Sequence, residues 1–296
     1  MVTGVKTCAL PILVYRPPSE AYSLIIQVTL GCSHNKCTFC DMYKDRSFKI
    51  KSLEEVFEDL ELSRKYYKYV RRIFLADGDA LILKTENLEK ILIKIKELFP
   101  ECERVAVYGT PADILRKSEE DLIKLKNLGL DIIYIGVESG SDEVLKDVKK
   151  GVTSEEIIKA GQKVKRTGIK LSATLISGLG GKEKSQLHAV ESARVISAIN
   201  PDYLGILTLM NAPGTEMHEK IANNEITLLN PKEVMVETRE LIRNLEVENC
   251  VFRSNHASNY APLAATLGEE KEALLKTLDD IIGSDYSFKE EYYRRF

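Results

Sequence analysis

The chain has 296 residues, 44% of them hydrophobic and 29% charged, which suits a sizeable core in one large domain or two small ones and excludes a disordered chain. A formal net charge of -3 and a pI near 6.0 exclude a general pull toward nucleic acid or an anionic membrane. Six cysteines, three of them within nine residues, exclude a disulfide framework and point to a reducing compartment, the cytosol.

In chain order, Val2 to Ile12 comes first, and it resembles the translation of a common sequencing-library adapter. Residues 1–19 are therefore read as an N-terminal segment, partly artefactual, and Cys8 is left out of the site argument. Short β-rich apolar runs then recur at Leu24 to Thr29, Arg72 to Ala76, Arg104 to Tyr108, Ile132 to Val137, Ile169 to Ile176 and Tyr203 to Leu209. Helical patterns with their own start signals lie between them. Ser52 with Glu55 and Thr153 with Glu156 read as capping boxes, Ser118 precedes an acidic first turn, and Gly129 and Gly168 close two helices just before a strand. Lys90, Lys94 and Lys96 read as a solvated helix face. Beyond the sixth strand come a helix from Pro231 to Glu246, a short apolar piece at Cys250-Val-Phe and a helix from Glu269 to Ile282. No apolar run approaches the roughly 18 residues that cross a bilayer, so no membrane partner is expected.

Strand and helix alternating in this way imply right-handed βαβ units and a parallel sheet. The expected fold is α/β: a partial (βα)6 TIM-like barrel over residues 20–215, with a small helical extension, 216–296, packed on it. A doubly wound open sheet is the competitor, but its usual Gly-x-Gly-x-x-Gly is absent after the first strand, where a cysteine loop stands instead.

That loop is Gly-Cys-Ser-His-Asn-Lys-Cys-Thr-Phe-Cys, with Cys32, Cys37 and Cys40 and no second thiol pair near them. A structural zinc site closes with four protein ligands, whereas three thiolates on a four-iron cluster leave one iron open to another ligand. Zinc with His34 as a fourth ligand remains an alternative, although His34 lies inside the loop. In parallel barrels the site forms where strands end. The residues there are Asp77-Gly78-Asp79 after the second strand, Tyr108-Gly109-Thr110 after the third, Glu138-Ser139-Gly140 after the fourth, and Ser177 to Gly181 after the fifth. Asp77 and Asp79 also allow a plainer reading, a turn with a helix cap. Phe252 to Tyr260, with Arg253, Asn255 and His256, reads either as part of a substrate pocket or as a network that satisfies backbone groups. Tyr43 is a weaker substrate candidate of the same kind.

Cys32-x4-Cys37-x2-Cys40, with Phe39 before the last cysteine, resembles the cluster loop of the radical S-adenosylmethionine (SAM) superfamily, with four residues in the first gap where three are commoner. The resemblance covers about residues 20 to 215. It implies a [4Fe-4S] cluster on the three cysteines and S-adenosylmethionine on the open iron, cleaved reductively to a 5'-deoxyadenosyl radical that acts on an unknown substrate. It further implies that Gly78 and Asp79 stand where the family has a Gly-Gly-Glu-like turn for the methionine amine. Glu138 and Ser139 are similar to positions contacting the ribose or methionine part. Ser177 and Gly178 resemble the turn that approaches the adenine, and Lys149 is a weaker candidate for the methionine carboxylate. A reducing partner such as flavodoxin or ferredoxin follows from that chemistry, and nucleic acid is not expected. The readings without turnover are an iron-sulfur electron carrier or assembly factor, and a zinc-binding scaffold.

Overall fold

The structure, a computed structural model, describes residues 14–294, so the adapter-like stretch with Cys8 lies outside the described residues. The chain divides into two compact units. The first comprises the residues up to 35, 42–134 and 166–170, and the second 36–41, 135–165 and the residues from 171 onward.

In the first unit, β1 (Leu24–Gln27) continues after one residue into the two-residue β2 (Thr29–Leu30), which pairs antiparallel with β3 (Lys49–Ile50). Helix α1 (Leu53–Tyr66) leads to β4 (Arg72–Ala76), α2 (Thr85–Leu98) to β5 (Arg104–Gly109), and α3 (Pro111–Arg116) with α4 (Glu119–Asn127) to β6 (Leu130–Glu138), which passes into the second unit. β4 pairs parallel with β1 and with β5. Its residues Ile73 to Ala76 are wholly buried, as an unbroken apolar run requires of a strand covered on both faces. The rings of Phe74, Tyr108 and Tyr134 meet edge to face, with centroids 5.0 to 6.1 Å apart. Beneath them the buried Glu20 accepts from Arg104 Nη2 at 2.6 Å and Tyr134 Oη at 2.6 Å.

The second unit carries α5 (Asp142–Asp147), α6 (Ser154–Arg166), β7 (Lys170–Ser177), α7 (Ser185–Ile199), β8 (Tyr203–Thr208), α8 (Glu216–Ala222), α9 (Pro231–Asn244), β9 (Cys250–Ser254), β10 (Leu263–Leu267) and α10 (Lys271–Gly283). β7 pairs parallel with β8 and β8 with β9, while β9 and β10 form an antiparallel pair. The strand order is β1-β4-β5-β6-β7-β8-β9-β10, so the α/β class with a largely parallel sheet and intervening helices is present as expected.

Local signals acted where they were read. Ser52 and Ser118 both close capping boxes, Thr153 and Glu156 exchange backbone and side-chain bonds, and Gly129 and Gly168 take the left-handed conformation at φ +106° and +75°. The C-terminal part holds more than helices. The apolar piece at Cys250 is a full strand, and Leu263–Leu267 is a second strand whose Leu-Ala-Ala-Thr-Leu composition carries little β signal.

The chain end is held in the second unit by Arg294, 4% exposed. Its guanidinium donates to Ser258 O at 2.6 Å, Leu209 O at 2.7 Å and Tyr260 Oη at 2.7 Å, and lies 4.2 Å over the Tyr260 ring. Arg294→Ala leaves these buried acceptors without their donor, and the expected loss is about 2–3 kcal/mol, read by urea unfolding against the wild type.

Candidate functional site

Because β4 is buried to its end, the turn that leaves it starts inside the protein, and Asp77 and Asp79 are both 0% exposed. Asp77 accepts from Tyr43 Oη on Oδ1 at 2.6 Å, and its amide donates to Thr29 Oγ1 at 3.1 Å. Asp79 Oδ2 accepts from the Ser33 hydroxyl. The second oxygen of each, Asp77 Oδ2 and Asp79 Oδ1, is buried with no hydrogen-bond donor. Burial pushes both carboxyl pKa values up, Asp79 further because Asp113 stands beside it. Asp79 makes no side-chain cap on the short turn Ala80–Ile82, so the cap reading does not describe it. Gly78 is glycine because of close approach: a Cβ there would lie 2.6 Å from the Tyr43 ring and 3.0 Å from Gly31 O.

The cysteine loop leaves β2 through Gly31 at φ +76°. Cys32 belongs to the first unit, and Asn35, at φ +43°, ends the loop's portion there. Cys37 and Cys40 belong to the second unit. There Thr38 donates its amide to Val148 O at 3.0 Å and receives the Met217 amide on its carbonyl at 3.0 Å. Phe39 packs on the apolar group Val144, Val148, Ile176, Leu179, Leu209 and Met217. All three cysteines are half-buried thiols. Among the described residues no three His, Cys, Asp or Glu side chains already form a metal-binding group.

In the second unit β6 ends at Glu138, a non-glycine residue at φ +64° whose carboxylate pairs with Lys150 Nζ at 3.0 Å. A side chain at Gly136 would collide with that carboxylate at 1.9 Å. The next residue, Ser139, is buried with its Oγ 2.8 Å from His188 Nδ1. Burial holds His188 below the usual imidazole range, so the ring is neutral, and its Nε2 lies 3.9 Å from Glu237 Oε1. Glu237, on α9, accepts from Ser177 Oγ at 2.8 Å, the Gly178 amide at 2.7 Å and Ser185 Oγ at 2.7 Å. The turns after β6 and β7 thus each have a buried polar anchor.

Several expected ligand contacts are engaged differently. Tyr43 is not open to a substrate: it is 4% exposed, with its hydroxyl on Asp77. Lys149, at φ +55°, places its ammonium 2.6 Å from Glu216 Oε2. Arg253 is exposed on β9 and donates to Phe252 O at 2.7 Å, and Asn255 is exposed beside it. His256 accepts the Ser258 amide on Nδ1 at 3.1 Å, and burial lowers its pKa. Within the same stretch Asn259 donates to Ile206 O at 2.8 Å and accepts from Thr208 Oγ1 at 2.9 Å, and Tyr260 donates to Glu291 Oε2 at 2.8 Å. Sequence reasoning missed His188 and Glu237. A signal for Glu237 existed, since it stands three residues after Val234 and four before Leu241, on the apolar face of α9.

The radical SAM superfamily model matches residues 26–192. The chain belongs to the radical SAM superfamily. It is 26% identical over 211 residues to an uncharacterized methyltransferase of Pyrococcus horikoshii, covering 70% of this chain and 44% of that protein. The chain therefore spans less than half the length of that relative. Among solved structures it resembles coproporphyrinogen III oxidase (HemN) of Escherichia coli, a radical SAM enzyme, at TM-score 0.56 and 17% identity, over 75% of this chain and 51% of that one. It also resembles the radical SAM methyltransferase TsrM of Kitasatospora setae, at TM-score 0.55 and 19% identity, over 68% of this chain and 39% of that one. TsrM has been solved with cobalamin and a [4Fe-4S] cluster and with a SAM analogue. At these identities the structural likeness concerns the fold.

Two outcomes follow from the buried acids. A carboxyl whose pKa rises on folding weakens the fold as pH climbs above its unfolded value, near 4, and the cost stays in place above the folded value. Asp79→Asn is therefore expected to raise the melting temperature of the cofactor-free protein at pH 8 by roughly 2–4 °C, with the gain shrinking toward pH 4, as calorimetry across that range would read. Glu237→Ala removes the acceptor of two buried donors, Ser177 Oγ and the Gly178 amide, and of the half-buried Ser185 hydroxyl, and is expected to cost about 3 kcal/mol in denaturant unfolding. Glu237→Gln, which keeps an acceptor, should cost less than half of that.

Proposed function

We infer that this chain is a radical SAM enzyme in which the thiolates of Cys32, Cys37 and Cys40 hold a [4Fe-4S] cluster and S-adenosylmethionine is reductively cleaved to act on a further substrate. The observation that carries the reading is the pair of donorless carboxylate oxygens, Asp77 Oδ2 and Asp79 Oδ1, in the turn that the hydroxyl of Ser33, the residue after Cys32, also binds. A buried carboxylate oxygen is stable there with a cationic donor, and the methionine ammonium of SAM is one. Three thiols within nine residues of sequence, with no fourth cysteine in that stretch, fit a cluster with one open iron. The residues present therefore suit both groups.

A cluster held by Cys32, Cys37 and Cys40 would, when reduced, supply the electron for reductive cleavage of bound SAM and with it radical chemistry on the substrate. The protein's own residues bind and orient. Asp79 takes the ammonium, and Gly78 lets the backbone approach it. Phe39 seats the last cysteine on the apolar group of the second unit. Glu138 and Ser139 meet the ribose or methionine part, Ser177 and Gly178 offer a turn to the adenine, and Lys149, released from Glu216, would meet the methionine carboxylate. His188 and Glu237 hold those last turns in place. The cleavage needs a reducing partner of the flavodoxin or ferredoxin kind and a reducing compartment such as the cytosol. No described helix is long and apolar enough to cross a membrane. The relatives carry names for different reactions, so the reading stops at radical generation and leaves the substrate open.

Anaerobic reconstitution is expected to give a brown protein with about four irons per chain and an EPR signal on reduction. Incubated with SAM and dithionite, it should release 5'-deoxyadenosine at a rate that Cys37→Ala abolishes. Equal release from both proteins, or stoichiometric zinc in place of iron, would sink the reading.

A further inference from the structure

The first gap of the cysteine loop holds four residues, Ser33-His34-Asn35-Lys36, one more than the commoner spacing, and the first unit contains a set of bonds that fits this extra length. Asn35 takes the left-handed conformation at φ +43°, which turns the chain sharply and so takes up a residue without lengthening the loop's reach. It is pinned twice. Its Nδ2 donates to Tyr43 O at 2.8 Å, and its carbonyl receives Lys44 Nζ at 2.9 Å. Tyr43 is in turn fixed at its other end, where the hydroxyl donates to Asp77 Oδ1 and the ring lies so close to Gly78 that no side chain fits there. Ser33, at the near end of the same gap, donates to Asp79.

The loop is thus laced to one turn at two levels, by Ser33 on Asp79 and by Asn35 through Tyr43 on Asp77. We propose that Tyr43, with Asn35, is a positioning residue that locks the four-residue cysteine gap onto the Asp77-Gly78-Asp79 turn and so sets that turn for the SAM ammonium. Tyr43 touches neither SAM nor substrate. It binds one oxygen of Asp77, the other being buried without a hydrogen-bond donor, and its ring leaves no room for a side chain at Gly78. The inference rests on the reading that this turn binds SAM, and it explains why a longer loop keeps Ser33 on Asp79.

The test uses the reconstituted full chain with S-adenosylmethionine itself as the probe, bound to the oxidised cluster by equilibrium dialysis so that no turnover is required. Tyr43→Phe keeps the ring against Gly78 and removes only the hydroxyl. Asn35→Gly keeps the left-handed backbone and removes only the side-chain bond. Both variants are expected to take up as much iron as the wild type and to show the same EPR signal when reduced without SAM. Tyr43→Phe should bind SAM about tenfold more weakly, the weight of one charge-assisted hydrogen bond, with kcat for 5'-deoxyadenosine at saturating SAM within about twofold of wild type. Asn35→Gly should shift the dissociation constant the same way by about threefold, and it carries the test alone if Tyr43→Phe fails to fold. Unchanged SAM affinity in both folded variants, or a melting temperature that drops together with iron content, overturns the proposal while leaving the proposed function intact. A wild-type protein that takes up iron but binds no SAM overturns both.

Discussion

Two carboxylates buried at the end of a buried strand are the constraint around which the first unit is arranged. β4 delivers Asp77 and Asp79 with no solvent to share their charge, and each must be held by hydroxyls brought from elsewhere in the chain: Tyr43 for one, Ser33 for the other. An ordinary fold would avoid this cost with an asparagine or serine at either position. Each acid keeps one buried oxygen without a donor, and under the proposed function a cation completes them. The same demand explains the glycine between them and the closeness of the Tyr43 ring.

The second unit solves a parallel problem with opposite polarity of parts. The turn after β7 offers donors, Ser177, the Gly178 amide and Ser185, and one buried carboxylate from a distant helix accepts from all three. His188, kept neutral by burial, ties the turn after β6 into the same group through Ser139. Strained backbone gathers here as well, with Glu138 and Lys149 both left-handed.

The architecture was legible because each strand of the α/β repeat is an apolar run bounded by turn chemistry, and each capping signal is local to three or four residues. Strand β10 escaped because Leu-Ala-Ala-Thr-Leu is held by its partner β9 and carries little strand propensity of its own. For the candidate site, the sequence exposed which residues are acidic, thiol or glycine at strand ends, and it left their partners hidden. Tyr43 lies 34 residues from Asp77, and Ser177 lies 60 from Glu237, separations over which no pattern in the chain links donor to acceptor. The polar stretch near His256 hid its partners in the same way: Asn259 bonds Thr208 and Ile206, more than fifty residues back in the chain.

The placement of Glu237 bears on how this protein can be taken apart. The family match ends at residue 192, and the expected barrel boundary falls near 215, yet the acceptor for the turn after β7 comes from beyond both. The superfamily segment is therefore not an interchangeable module in this chain. Cutting it out, or fusing it to another protein's C-terminal part, would leave the buried Ser177 hydroxyl and Gly178 amide without their acceptor. A C-terminal part grafted onto this chain would have to carry an acceptor at the place of Glu237 on the incoming helix.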